Sequence, residues 1–136
     1  MRPDLHPDLT PDERRRLIRL GVDQFNRGEF YAAHESWEEV WRSTRPEPRA
    51  LLQGLIQVAA ALHMIRDLHR ERGPRQTFAK ARQRLEPYAP AACGLDVDDL
   101  LLHVGRWQAW LEAPESERPG WPGWPSVRVV DWDAVE

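Results

Sequence analysis

Apolar residues recur every three or four positions in five stretches of the chain, the spacing of one face of an α-helix. These stretches cover about residues 11–26, 29–43, 51–72, 75–88 and 97–113. Alternation of apolar and polar residues, which indicates a strand, is found only in the short run 127–130. The pattern therefore predicts an all-α fold, a five-helix bundle.

Residues with strong end preferences bound these stretches. Thr10, with Glu13 three positions later, is the capping box that begins a helix, and Asp96 is the predicted cap of the last helix. Gly28 is the predicted left-handed residue that ends the first helix. Gly73 and Pro74 together are a strong stop signal, so the long third helix is expected to continue to about residue 72.

Proline-rich segments lie at both ends of the chain. Residues 1–9 are predicted to be an irregular arm, and residues 114–136 contain Gly-Trp-Pro twice, which excludes a helix. Exposed tryptophans are unfavourable in water, so we expect the tail to lie on the body of the protein or on a partner chain. The sequence thus predicts a helical bundle domain over residues 1–113 and an extended Pro/Trp-rich C-terminal tail over 114–136.

The second helix carries charged groups where an apolar face is expected. Five of its residues fall within an arc of about 100°: Phe30, His34, Trp37, Glu38 and Trp41. Burying a lone carboxylate costs several kcal/mol unless a partner compensates its charge. The sequence therefore predicts a site in which His34 and Glu38 find partners, with Trp37 and Trp41 as its walls.

A divalent metal ion is one such partner. His34 and Glu38 are one helical turn apart, the spacing at which a helix presents two ligands. His63, on the inner face of the third helix, is the best third ligand. Three protein ligands with an open position are typical of catalytic zinc sites, so zinc is the expected metal and hydrolytic chemistry is left open.

The alternative is a structural pair. His34 and Glu38 would then hydrogen-bond to each other, or to Arg66 and Gln57, and would fix how the helices pack. Under this interpretation the protein is a non-enzymatic helical scaffold or a protein-interaction module, and the residues alone leave both interpretations open.

Length, composition and charge limit the classes of protein to which the chain can belong. A chain of 136 residues fits one domain, and no apolar run approaches the roughly 18 residues of a membrane span. The single Cys93 fits a reducing cytoplasm, and the net charge of −3 gives no clear nucleic-acid footprint. We therefore expect a cytoplasmic protein that contacts no membrane, with a second copy of the chain or another protein as its partner.

Three segments of the sequence resemble a known family. Residues 25–35, 37–42 and 53–63 are similar to domain-of-unknown-function family DUF309, small helical proteins of bacteria and archaea, and the likeness extends over about residues 18–88. The resemblance implies an α-helical bundle with a His-x-x-x-Glu-x-x-Trp motif, here His34, Glu38 and Trp41, which has been suggested to bind metal. It implies no established activity, and the Trp-rich tail lies outside the matching region.

Overall fold

The computed structural model describes residues 9–43 and 48–134 of the chain. Within them, five α-helices follow one another: α1 (Pro11–Asn26), α2 (Phe30–Trp41), α3 (Arg49–Arg66), α4 (Arg72–Leu85) and α5 (Val97–Glu112). Two short antiparallel strands, β1 (Ala91–Ala92) and β2 (Leu95–Asp96), precede α5. The predicted all-α five-helix bundle is confirmed. The predicted N-terminal arm lies, except for Leu9, outside the described residues.

The predicted helix ends at three positions are confirmed. The Thr10 hydroxyl accepts a hydrogen bond from the Glu13 backbone N–H (3.1 Å), and the Glu13 carboxylate accepts one from the Thr10 N–H (3.1 Å). These bonds hold the pKa of Glu13 below its usual range. Gly28 has φ 82° after α1, and the Asp96 carboxylate caps α5 by accepting from the Asp99 N–H (2.9 Å).

The predicted helix stop at Gly73 and Pro74 is wrong. Helix α3 already ends at Arg66, and both residues lie in the first turn of α4. His69, between the two helices, takes a left-handed φ of 53°, which interrupts the helix before the glycine is reached. Proline is tolerated in a first turn because the N–H groups there have no partner within the helix.

Helix α3 is the centre of the bundle. Ten of its 18 residues are buried, whereas each of the other helices buries four or five. It packs against α2 on one side and α4 on the other, while α1 packs on α2 and α5 on α4. The largest side chains of the core come from the surrounding helices: Phe25, Phe30, Trp37, Phe78 and Trp107.

The C-terminal tail lies on the body of the protein. The Trp124 ring stacks on Trp107 with 5.0 Å between ring centroids, and it lies 5.7 Å from the Phe30 ring. Trp124 therefore covers two side chains that are themselves almost completely buried. The division into a bundle over 1–113 and a tail over 114–136 stays a prediction.

The one alternating run of the sequence, 127–130, makes a single strand-like contact. Val129 forms an isolated antiparallel bridge with Leu95 at the open edge of β2. The tail thus extends the small sheet by one bridge, and the fold stays helical.

Candidate functional site

The buried face of α2 differs from the predicted one. The residues that point into the core are Phe30, Ala33, Trp37 and Val40. His34 and Glu38 lie beside this stripe, each with 26% of its side chain exposed. These two polar side chains therefore lie at the edge of the buried face of α2 and keep part of their hydration, so the expected cost of full burial does not arise.

His34, Glu38 and Arg42 form a chain of polar contacts along one side of α2. The His34 Nε2 atom lies 2.9 Å from Glu38 Oε2, and the Arg42 guanidinium donates to Glu38 Oε1. Each contact joins residues four positions apart, which lie on the same side of a helix. Both oxygens of the Glu38 carboxylate are therefore engaged by side chains of its own helix.

His63 belongs to a second cluster at the end of α3. Its Nδ1 atom lies 2.8 Å from Asp67 Oδ2, and Arg66 donates to both oxygens of Asp67, at 2.9 and 3.0 Å. Arg66 also donates to the Gly28 carbonyl (2.6 Å), which ties the end of α3 to the turn between α1 and α2. The Arg66 hydrogen bond, with that of His63, holds the pKa of Asp67 below its usual 3.8.

Tyr31 brings the two clusters together. Its ring, 51% exposed, stacks with the His34 imidazole at 5.8 Å and contacts the His63 imidazole at 5.0 Å, measured between ring centroids. The two histidines thus contact one aromatic ring, but His34 is paired with Glu38 and His63 with Asp67. Within ranges 9–43 and 48–134, no group of three or more His, Cys, Asp or Glu side chains is placed to hold a metal ion.

The two tryptophans predicted as site walls contact other parts of the protein. Trp37 is fully buried, and its indole N–H donates to the Ile18 carbonyl of α1 (3.1 Å). Trp41 is half-buried, with the Arg49 guanidinium 4.3 Å from its ring centroid. Trp37 therefore joins α2 to α1, and Trp41 joins the end of α2 to the start of α3.

Sequence reasoning missed Tyr31, Arg42 and Asp67. Arg42 and Asp67 stand four residues after Glu38 and His63, the same spacing that selected the pair His34 and Glu38. A search for charged pairs at this spacing would have found both. Tyr31 falls on the polar side of its helix, and no spacing rule shows that it meets two histidines.

The Asp67 cluster predicts a pH dependence of stability. A carboxylate whose folded pKa lies below the unfolded value contributes stability above the unfolded pKa, here 3.8, and loses it as pH falls through the folded pKa. Asp67→Asn should therefore cost up to about 1 kcal/mol at neutral pH, the range of solvent-screened pairs, and progressively less below pH 3.8. Urea unfolding of wild type and variant across this pH range measures the difference.

Asp23→Asn is the matched control for Asp67→Asn. The Asp23 carboxylate is exposed, and its interaction with Arg27 is electrostatic and the smallest of those that act on that guanidinium. Its substitution should leave stability nearly unchanged at both pH values. A cost of Asp67→Asn that is equal at neutral and acid pH would contradict the proposed ion pairing.

Comparison with known proteins gives a family match for part of the chain. The family model described as "Domain of unknown function (DUF309)" matches residues 18–75, from within α1 to the first turn of α4. This segment contains all the candidate site residues and is shorter than the 18–88 of the resemblance. No curated protein matches the chain. None of the described helices combines the length and the apolar character needed to cross a membrane. Residues 18–75 are therefore similar to the DUF309 family, and the rest of the chain lies outside the matched segment.

Proposed function

We propose that this protein is a non-enzymatic helical scaffold that acts by binding another protein chain, and that His34 and Glu38 form a structural pair within it. One observation carries the first part: the candidate ligands are engaged inside their own helices. Glu38 contacts His34 and Arg42, while His63 contacts Asp67. Polar groups at a helix edge that contact one another in this way stabilise packing without an added ion, although the His34 Nδ1 atom is buried with no hydrogen-bond partner among the described residues.

A continuous exposed surface supports binding to another chain. Contacts run from Tyr31 through His63 and the Asp67–Arg66 pair to Trp124, whose ring centroid is 5.7 Å from the Arg66 guanidinium. Tyr31 and Trp124 remain 51% and 38% exposed. Tyrosine, tryptophan and arginine are the residue types enriched at interface hot spots. These side chains are already held by neighbours, so little conformational entropy is lost when a partner covers them.

A divalent metal ion, zinc first, is the competing proposal. It is supported by the contact of both His34 and His63 with the Tyr31 ring. Against it, His34, Glu38 and His63 form no three-ligand group in the described part of the chain. Hydrolytic chemistry has no supporting contact there, so no reaction step is proposed. A cytoplasmic location, inferred from the single Cys93, also stays a prediction.

Metal analysis of tag-free protein separates the two proposals. We expect wild-type protein without stoichiometric metal, because the candidate ligands already have partners. We also expect His34→Ala to lower the free energy of unfolding by about 1 kcal/mol, the usual worth of one hydrogen bond. Glu35→Ala, an exposed position on the same helix, is the control and should change stability by less than about 0.5 kcal/mol. Stoichiometric metal that is lost in His34→Ala would overturn the scaffold proposal.

A further inference from the structure

The C-terminal tail is held in the way that proteins hold extended peptides. The Asn26 side chain contacts both polar backbone groups of Val127: its oxygen accepts from the Val127 N–H (2.7 Å), and its amide donates to the Val127 carbonyl (3.1 Å). Val127 itself is buried. The Asn26 amide at the end of α1 therefore both donates to and accepts from the backbone of one tail residue.

The edge of β2 holds the next residues of the tail. The Asp96 N–H donates to the Arg128 carbonyl (2.8 Å), and the Val130 N–H donates to the Gly94 carbonyl (2.7 Å). This is strand addition, in which a peptide completes a sheet edge through backbone bonds while its side chains enter pockets on alternate sides.

Aromatic and guanidinium groups hold the two ends of the docked segment. Trp124 fits against Trp107 and Phe30 at one end. At the other, Arg19 donates to the Trp132 carbonyl (2.6 Å), and its guanidinium lies 5.4 Å from the Trp132 ring centroid. We call this surface the tail groove and define it by its residues: Arg19, Asn26, Phe30, Gly94 to Asp96, and Trp107.

A short hinge joins the docked segment to α5. The last attachment before the hinge is the Trp110 indole N–H, which donates to the Pro119 carbonyl (3.2 Å). In the hinge, residues 120–123, a methyl group added at Gly120 or Gly123 would meet no atom within 4 Å. Neither glycine is therefore packed against the body of the protein, and glycine has wide conformational freedom; Trp121 between them contacts the Trp124 ring at 5.1 Å between centroids and can move with it.

We propose that the tail groove also binds residues 124–132 of a second copy, so that two chains exchange tails and form a dimer. This rests on the proposed function of binding another chain and names that chain. The exchanged and unexchanged states use the same contacts and differ in the path of the hinge. The balance between them therefore depends on the hinge and on the protein concentration. The chain's own tail competes at the high effective concentration set by its short tether, and exchange is favoured when that competition is weakened.

Binding of a synthetic peptide in trans tests the groove. The probe is a fluorescent peptide of residues 119–134, titrated into the full chain and into full-chain Trp124→Ala, whose own tail has lost its aromatic anchor. We expect the variant to bind the peptide at least about ten-fold more tightly than wild type, because its competitor is weaker. Adding Asn26→Ala to Trp124→Ala should weaken peptide binding about ten-fold again. Far-UV circular dichroism checks that each variant keeps its helices.

Shortening the hinge tests the exchange itself. In a full chain lacking residues 120–123, Trp124 would follow Pro119 directly and would be held away from its own groove, so light scattering should report a dimer. The same deletion combined with Trp124→Ala and Asn26→Ala should be monomeric. A monomeric hinge deletion, or a peptide that binds neither wild type nor Trp124→Ala, overturns the inference. Neither result bears on the metal analysis, so failure here is distinguishable from failure of the scaffold proposal.

Discussion

Replacing Trp37 with alanine should lower the free energy of unfolding by about 3 to 5 kcal/mol, the range for removal of a buried tryptophan. The indole is fully buried, lies 5.8 Å from the Phe25 ring, and donates to the Ile18 carbonyl. Alanine would leave a cavity between α1 and α2 and would remove the hydrogen bond that joins the two helices at the Ile18 carbonyl. Domains have only about 5 to 15 kcal/mol of stability, so the loss is severe. Urea unfolding followed by circular dichroism measures it.

Trp37→Phe is the matched control for Trp37→Ala. Phenylalanine keeps most of the ring volume but cannot donate to the Ile18 carbonyl, so we expect a cost of about 1 to 3 kcal/mol. If Trp37→Ala instead cost less than about 1 kcal/mol, well below the usual range for such a truncation, Trp37 would not be the core residue that joins α1 to α2. The wall role predicted from the sequence would then regain support.

Gly21→Ala should be destabilising, by about 1 to 3 kcal/mol or more, even though alanine is the better helix former. A Cβ atom at position 21 would lie 2.2 Å from Trp37 Nε1 and 2.5 Å from Cδ1, far inside contact distance. The indole is fixed by its own hydrogen bond and by the surrounding core, so α1 and α2 would have to move apart. Thermal or urea unfolding of the variant measures the effect.

Gly105→Ala provides the comparison at another helical glycine. A Cβ atom there would lie 3.1 Å from the Arg82 NH2 atom, the end of a flexible side chain that donates to Gln108 (2.9 Å) and to the Leu101 carbonyl (3.3 Å) and would need to shift by only a few tenths of an ångström. We expect this change to be nearly neutral or stabilising by up to about 1 kcal/mol, the gain in helix propensity. If Gly21→Ala were as stable as Gly105→Ala, the close approach of α1 and α2 would be refuted.

The helices and most of their ends were predictable because their signals are local. The capping box at Thr10, the left-handed Gly28 and the cap at Asp96 each act within one turn of the chain. The stop at Gly73 and Pro74 failed because its meaning depends on what precedes it. Once His69 has interrupted the helix, the same two residues fit the first turn of the next one.

The candidate site was predictable only in part. The i, i+4 spacing of His34 and Glu38 correctly indicated a contact within α2. The same arc of a helix can be centred on His34 or on Ala33, and the sequence does not show which side meets α3. The packing around Trp37 decides this, and it turns His34 and Glu38 to the edge. Contacts between helices, such as Tyr31 with His63, depend on register and have no local signal.

Arg66 links the stability of the segment that matches the family model, residues 18–75, to that of the C-terminal tail. Its single guanidinium bonds to the Gly28 carbonyl and to Asp67, and it lies 4.5 Å from the Phe30 ring centroid and 5.7 Å from that of Trp124. Groups that share one partner have non-additive energies. The His63–Asp67 pair, inside the matched segment, and the tail, outside it, are therefore expected to be energetically coupled through Arg66.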